Sequence, residues 1–479
     1  MSESHDSPTP IPQPGFMPAA RDLIRLAIPT VATMTSFTLM QFVDRLMVSR
    51  IGPDPVYVGA QGNGGLASWM PISFMMGLIT VINSFVSQNL GASKPERGAA
   101  YAWHAIYIAV LGWLALIPYA LAIPSLFSLL GHEGERLAME SSYARILVLG
   151  SCITLSARAI SHYFYGMHKP TIVMVATILG NLTNIALNWV LIYGHLGAPA
   201  LGVTGAAIAT VIGTAVEFLV PFAVFLSPKF NSMFHTRRAC RVDGSVFGDI
   251  LRVGWPGGLM FVNEMFCWSI FMIVLVGEFG EVHSTAGWIA HQYMSMSFMP
   301  AVGMNVAITA SVGKCMGMGR PDLAATRTWV AIAIAMVYMV ACGLVFVFFR
   351  HELAGFLVSK ESAPEVKAEV VSLAGKFLIA AATFQLFDAI AMTVSGALRG
   401  AGDTHWPGIV TVILAWTLIV GGGVATVTFV PDWKSVGPWA AASAYIIILS
   451  LVLLARFLGG KWRALSLVRE TAGSNPSAP

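Results

Sequence analysis

Long apolar segments recur twelve times along the 479-residue chain, and each is long enough to cross a lipid bilayer. Crossing takes about 20 mostly apolar residues, because each helical residue advances about 1.5 Å through hydrocarbon about 30 Å thick. Only helices and closed barrels can span lipid, and these segments lack the alternation of barrel strands. We therefore predict an all-α integral membrane protein with twelve transmembrane helices. The predicted spans are residues 23–49, 57–89, 101–124, 138–166, 171–193, 201–226, 248–277, 285–314, 326–349, 369–399, 407–430 and 437–458.

Charged residues are too scarce to cover a water-facing surface. They make up 11% of the chain, whereas soluble domains usually carry about 25%. This excludes a soluble enzyme and a nucleic-acid-binding protein, and it makes the lipid bilayer the main partner. The five cysteines are scattered without a C-x-x-C pair, so neither a disulfide framework nor a zinc site is expected. The polar, proline-rich first twenty residues predict no cleavable signal peptide.

The distribution of basic residues predicts the orientation in the membrane. With both termini placed in the cytoplasm, 18 of the 28 Lys and Arg residues fall on the cytoplasmic side, 6 on the outer side and 4 within spans. Cytoplasmic loops of membrane proteins carry such an excess of positive charge. We therefore expect a multi-pass protein of the cell inner membrane with both termini cytoplasmic.

The chain also repeats itself at an offset of 226 residues. The segments VSQNLGASKPERGAA and VGKCMGMGRPDLAAT, which start at Val86 and Val312, share four identities. A weaker match pairs Ser161 and Gly166 with Ser395 and Gly400. Because each half holds six spans, we predict two six-helix bundles related by a pseudo-two-fold axis along the membrane normal, as in secondary transporters. The alternative is that both segments are simply similar turns between helices.

The spans and the repeat together predict five parts of the chain. These are a disordered cytosolic N-terminus (residues 1–20), an N-lobe (21–226), a cytosolic linker (227–247), a C-lobe (248–458) and a cytosolic tail (459–479). No G-x-x-x-x-G-K-[ST], H-E-x-x-H or G-x-S-x-G motif occurs. We therefore expect no ATP-binding loop, no ATPase subunit and no cofactor other than a coupling ion. We also expect a monomer.

Two acidic residues inside the predicted spans are the first candidates for a cation site. An ionisable group within lipid is costly unless it faces a cavity or a partner. Glu264 is roughly 18 Å beyond Arg252 along span 7, and Asp388 is roughly 16 Å before Arg399 along span 10. Both should therefore lie near the midplane, at one level, where two carboxylates can share a proton or hold a cation such as Na⁺. The alternative is a buried structural pair.

Asp44 in span 1 is a third candidate, in the other half and nearer the outer leaflet. Asn184 and Asn188 in span 5 are four residues apart, share a helix face and could line a polar pocket beside Asp44. The alternatives are an interfacial acid paired with Arg45 or Arg50, and asparagines that merely join helices.

Arg158 and Glu217 should lie at equal depth, each roughly 16–18 Å from the cytosolic side. We interpret these two residues as a structural ion pair.

At this point the sequence resembles the multidrug and toxic compound extrusion (MATE) family, and within it the NorM-like branch. The likeness covers roughly residues 21–458, through the order and spacing of several motifs together. The residues that carry it are Pro29 and Asp44 in span 1, GASKPERG after span 2, NIALN in span 5, LGVTGAAIAT at the start of span 6, Pro256 and Glu264 in span 7, and QLFDAIAMTVSGALRGAGDT around span 10.

The resemblance implies two six-helix bundles around a central cavity, and export of cationic, amphipathic drugs in exchange for Na⁺ or H⁺. By position, Glu264 and Asp388 resemble the family's C-lobe cation-site acids, while Asp44 and Asn184 resemble its N-lobe acid and asparagine. Asn188 stands where another branch has an aspartate, and Arg45 beside Asp44 is a departure from the family pattern. Two alternatives remain at this point: a flippase for lipid-linked precursors, and an intramembrane enzyme.

Overall fold

The computed structural model describes residues 16–52, 56–358 and 363–469, and this part of the chain folds into helices without a strand. Eleven helices are long and apolar enough to span a membrane, and a bent pair of helices makes twelve. The predicted fold class is thereby confirmed. We number the spans α1 (Phe16–Val48), α2 (Val56–Gly91), α3 (Pro95–Leu129), α4 (Gly134–Leu149 with Ser151–Gly166), α5 (Pro170–Tyr193), α6 (Gly202–Leu226), α7 (Gly244–Phe279), α8 (Glu281–Gly317), α9 (Pro321–Phe348), α10 (Pro364–Ala401), α11 (His405–Phe429) and α12 (Val436–Leu458).

Proline and glycine mark several helix ends. The helices α3, α5, α9 and α10 each begin with a proline, which is favoured at the first helical position because its missing N–H would have no partner there. The helices α5 and α10 are followed by Gly194 and Gly402, whose φ angles of 76° and 95° are left-handed. Such glycine caps terminate a helix without steric strain.

Three of the spans are irregular. The two segments of α4 meet at an angle of 44° around Gly150. The helices α7 and α11 each contain a π-helical stretch, Ile270–Val276 and Ala415–Gly421. Insertions of this kind are common at functional sites in helical proteins.

Two predicted boundaries need correction. The first span begins at Phe16, so residues 16–20 of the predicted disordered segment are helical, and residues 1–15 lie outside the described chain. The reason is packing, because Ala19 and Ala20 are buried in one apolar cluster with Leu323 and Ala324 of α9. Similarly, part of the predicted tail is structured, since a short 3₁₀ helix, Lys461–Ala464, buries Trp462. Residues 470–479 of that tail lie outside the described residues.

The connection between the halves is also partly helical. It contains a short helix, Pro228–Phe234, and a 3₁₀ turn, Arg238–Cys240, before α7 begins at Gly244. The predicted linker 227–247 therefore overlaps the first residues of α7. The side chain of Asp243 accepts a hydrogen bond from the backbone N–H of Ser245, which holds the pKa of this carboxyl below its usual range and caps the first turn of α7.

The two halves, α1–α6 and α7–α12, meet through α1, α2, α7 and α8. Twelve crossings bring both described termini to one end of the bundle, which we call the terminal end; the other is the distal end. Hydrogen bonds between the halves gather towards the terminal end. They include Ser84 Oγ to the Arg399 carbonyl (2.8 Å), Gln88 Nε2 to the Gly400 carbonyl (2.9 Å) and Asn83 Nδ2 to the Val306 carbonyl (3.0 Å). Hydrogen bonds therefore join the two halves at the terminal end.

Glycines allow the halves to approach closely, and the contacts are reciprocal. A Cβ added at Gly91 would overlap the carbonyl oxygen of Lys314, and one at Gly317 would overlap that of Gln88. Residues 317 and 314 correspond to residues 91 and 88 at the repeat offset of 226, so the two contacts are equivalent contacts made by the two halves. Reciprocity of this kind is what a two-fold relation requires.

The same relation holds deeper in the membrane. A Cβ at Gly77 would overlap the carbonyl of Gly257 on α7, and a Cβ at Gly303 would lie 2.7 Å from Cα of Val31 on α1. Again 303 is 77 + 226 and 257 is 31 + 226. Backbones approach this closely only where a helix carries no side chain. The repeat found in the sequence is therefore built into the interface between the halves.

Gly77 offers a direct test of this interface. We predict that Gly77→Ala lowers the free energy of unfolding by about 1–3 kcal/mol, because the added methyl group meets backbone atoms that cannot move aside. Gly62→Ala on the same helix is the matched control, since no atom lies within 4 Å of its added Cβ. Thermal unfolding of both variants in detergent measures the difference. Equal midpoints for the two variants would contradict the close approach of α2 and α7.

Candidate functional site

The acids Glu264 and Asp388 lie on α7 and α10 of the second half, within electrostatic range of each other. Glu264 is exposed, although its helix face is the one that carries Gly257, which packs against α2. The exposed apolar side chain of Trp255 lies on the opposite face, nine residues and half a rotation away. The carboxylate of Glu264 therefore faces a space between helices rather than the lipid. Asp388 is half-buried.

Neither carboxylate has a hydrogen-bond or ion-pair partner among the residues that the structure describes. The phenol of Tyr445 on α12 lies within electrostatic range of both acids. A pair of acids inside a membrane without compensating donors lacks what a buried structural pair needs. Such a pair can instead share a proton or hold a cation.

A second polar cluster lies in the first half, between α1, α5 and α6. Asp44 is buried, and Asn188 Nδ2 donates to its Oδ1 at 2.5 Å. The same amide lies 3.2 Å from Asn184 Oδ1, and Asn184 Nδ2 donates to Thr210 Oγ1 at 3.3 Å. The structure thus brings Asp44, Asn184 and Asn188 together, and adds Thr210 of α6. Thr210 was missed in the sequence because a single threonine in an apolar helix carries no signal.

The arginines near Asp44 do not pair with it. Arg45 and Arg50 are exposed, whereas Asp44 is 6% exposed, and neither arginine forms an ion pair with the carboxylate. Consecutive helical residues point about 100° apart, so Arg45 turns away from the cluster. The interfacial alternative for Asp44 is therefore not the arrangement in the structure. Asp44 and the pair Glu264–Asp388 belong to different halves, with no contact between them.

Arg158 and Glu217 meet in the first half. Arg158 Nη1 lies 3.6 Å from Glu217 Oε1, and both side chains are mostly buried. Thr177 Oγ1 donates to the same carboxylate oxygen at 2.8 Å, and the guanidinium lies 5.4 Å from the centre of the Phe37 ring. Gly180 of α5 and Gly213 of α6 permit the contact of Thr177 with Glu217, because each glycine would clash with the other helix if it carried a Cβ.

Arg399 is the residue whose place differs most from the sequence interpretation. It was counted among the cytosolic charges at the end of span 10, but it is half-buried and contributes to a small cavity between α2, α7, α10 and α11. The sequence could not reveal this, because the covering residues come from α2 and α7.

Among the described residues, no group of three or more His, Cys, Asp or Glu side chains is arranged to hold a metal ion.

The contact between Arg158 and Glu217 generates a stability prediction. Arg158→Met or Glu217→Leu alone should destabilise the protein by about 3–5 kcal/mol, because each strands a buried charge. The double variant should lose less than the sum of the two single losses. Thermal midpoints of the three variants, measured in detergent at equal protein concentration, complete the cycle. Strictly additive losses would mean that the two charges do not stabilise each other.

Known proteins resemble this chain along nearly its whole length. A probable multidrug resistance protein NorM from Mesorhizobium japonicum is 28% identical over 448 residues, covering 91% of this chain and 93% of the relative. Another from Shewanella oneidensis is 25% identical over 445 residues, covering 91% and 94%. A crystal structure of MATE in complex with MaL6 has a TM-score of 0.83 at 23% identity, covering 93% of this chain and 97% of that chain.

A transporter of the MOP superfamily from Pyrococcus furiosus has a TM-score of 0.82 at 25% identity, over 93% of this chain and 96% of that one. The family model MatE matches residues 29–190 and 259–422, one block in each half. Its members are transporters and not enzymes, so the alternative of an intramembrane enzyme was wrong. The chain belongs to the MatE family of multidrug transporters.

Proposed function

We propose that this protein is a secondary antiporter that exports cationic, amphipathic compounds in exchange for Na⁺ or H⁺. The observation that carries the proposal is the pair Glu264 and Asp388, two acids of the same half that lie within electrostatic range of each other without a hydrogen-bond donor among the described residues. A coupling cation bound between them supplies the missing compensation. Multidrug resistance is the activity in the names of its NorM relatives, which supports the choice of substrate.

The terminal end of the bundle corresponds in this proposal to the cytosolic side of the inner membrane. The excess of Lys and Arg in the loops of that end supports the orientation. Since the hydrogen bonds between the halves gather there, the lobes in this proposal are closed towards the cytosol. Transport then requires the two lobes, residues 21–226 and 248–458, to rock against each other so that the site faces each side in turn.

Exchange follows from competition for negative charge. A cationic drug in the cavity and a cation at Glu264 and Asp388 both draw on the same two carboxylates, and in a medium less screening than water the two positive charges repel each other. Arrival of Na⁺ or H⁺ from outside therefore favours departure of the drug. No ATP-driven step enters the cycle, and no further subunit is required.

Asp44 serves in this proposal as a second negative group, in the N-lobe part of the cavity. Its carboxylate uses one oxygen for Asn188, and the asparagine pair Asn184–Asn188 fixes its orientation without neutralising its charge. An oriented, uncompensated carboxylate attracts cationic substrates by Coulomb force. The fixed charge of Arg45 stays outside the cluster.

The central test removes each acid of the pair in turn. We expect Glu264→Gln and Asp388→Asn to reduce drug export to background, because either change leaves too little negative charge to hold the coupling ion. Glu278→Gln is the matched control, since Glu278 is an exposed acid at the distal end of the same helix, α7. Drug uptake into inside-out vesicles, driven separately by a sodium gradient and by a proton gradient, measures export and identifies the ion. Export near the wild-type rate by either acid variant at equal abundance would overturn the assignment.

Asp44 generates a separate prediction. Asp44→Asn should weaken export of a cationic drug and leave that of a neutral drug nearly unchanged, because only the charge is removed. Arg45→Ala should have little effect on either drug, since the exposed guanidinium lies outside the cluster. Resistance assays on both variants with one drug of each kind make the comparison. Undiminished resistance to the cationic drug in Asp44→Asn would exclude this residue from the substrate site.

A further inference from the structure

Two aligned rows of side chains lead from the acid pair towards the terminal end. On α7, Glu264 is followed in that direction by Met260, Gly257 and Val253, spaced by three or four residues and therefore on one face. On α10, Asp388 is followed by Ser395 and Arg399, which lie 7 and 11 residues further and again share one face. The rows converge, because all of these residues except the two acids line one small cavity.

This cavity lies between the acid pair and the terminal end. Its volume is about 20 Å³, enough for about one water molecule. Thr80 of α2 contributes a hydroxyl from the other half, so the cavity lies on the interface that must open when the lobes rock. A polar pocket of this size, placed between an ion site and one side of the membrane, can form part of a path for a proton or a small cation.

Arg399 places a fixed positive charge in this cavity without an ion-pair partner among the described residues. The Nη1 atom of Arg399 lies 3.5 Å from the amide oxygen of Asn305, its hydrogen-bond acceptor among the described residues. The other charged residue of the cavity, Asp403, is used elsewhere, because Arg456 Nε donates to its Oδ2 at 2.8 Å. The charge of Asp403 is therefore already balanced, and that of Arg399 is not.

Two further basic side chains lie across the interface from Arg399, and neither adds to its unbalanced charge. His162 of α4 lies within electrostatic range of both Arg399 and Arg158, and the charge of Arg158 is matched by Glu217. The net charge of these groups along the closed interface is therefore positive. This is the reverse of the acidic region around Glu264 and Asp388, only about 16 Å away along α10.

We infer that Arg399 is an electrostatic barrier that stops the coupling cation at the acid pair from leaking to the terminal end while the lobes are closed there. An arginine in a narrow pore excludes cations and protons because its charge cannot be moved aside or neutralised. The inference rests on the proposed antiport, since a leak at this point would dissipate the gradient that drives export. When the lobes rock open, the terminal part of α2 around Ser84 moves away from Arg399, water enters, and the barrier is relieved.

The test measures cation leak in proteoliposomes in the absence of any drug. Uptake of ²²Na⁺ and the collapse of a pH gradient are followed for the wild type, Arg399→Gln and Arg399→Lys. Without the fixed charge, Arg399→Gln should leak about tenfold or more faster than the wild type, whereas Arg399→Lys, which keeps the charge, should stay close to it. Arg252→Gln is the matched control, because it removes an exposed positive charge from the terminal-end portion of α7.

A second variant tests the same electrostatic barrier while keeping the guanidinium of Arg399. Ser395→Asp places a negative charge one turn before Arg399 in the same cavity, so it should also raise the leak. Adding Asp388→Asn to Arg399→Gln should lower the leak again, because the path begins at the acids.

A leak in Arg399→Gln no greater than that in Arg252→Gln would overturn the inference, as would an equal leak in Arg399→Lys. Because the assay contains no drug, failure of the barrier remains distinct from failure of drug export.

Discussion

The fold depends on the close approach of helices whose facing positions are glycines. Without side chains at Gly77 and Gly91, α2 reaches the backbone of α7 and α8, and Gly303 and Gly317 give α8 the equivalent contacts with α1 and α2. Within lipid there is little hydrophobic drive for helices to associate, so van der Waals packing and hydrogen bonds between helices must hold the halves together. The polar side chains Asn83, Ser84 and Gln88 add such bonds on the same stretch of α2.

The sequence alone could predict what depends on periodicity and composition. The spans, the repeat and the depth of Glu264 and Asp388 all follow from counting residues along helices, and the structure places these two acids within electrostatic range. The polar cluster of Asp44 with Asn184 and Asn188 could also be predicted, because the two asparagines are four residues apart and share a helix face. What escaped prediction depends on neighbours from distant parts of the chain, as with Thr210 beside Asn184 and the covering of Arg399 by α2 and α7.

The charges within the membrane separate into two classes. Arg158 with Glu217 is a balanced pair between α4 and α6, and Arg456 with Asp403 is a balanced pair between α12 and the turn that follows α10. Glu264, Asp388 and Arg399 have no oppositely charged partner among the described residues. A charge within the membrane without a partner is costly, so its presence is more easily understood as a requirement of transport than of stability. Asp44 lies between the classes, because amides orient its carboxylate without balancing its charge.

The reciprocal glycine contacts also have a mechanical consequence. The contact of Gly77 with Gly257 and that of Gly303 with Val31 lie deep in the bundle, whereas Gly91 and Gly317 lie about 21 Å further along their helices, at the terminal end. If the deep contacts act as a fulcrum, each helix segment beyond them is a lever. A tilt of about 10° would then part the ends by about 4 Å, given this lever length. That displacement is enough to break the hydrogen bond from Gln88 to Gly400 while leaving the fulcrum intact.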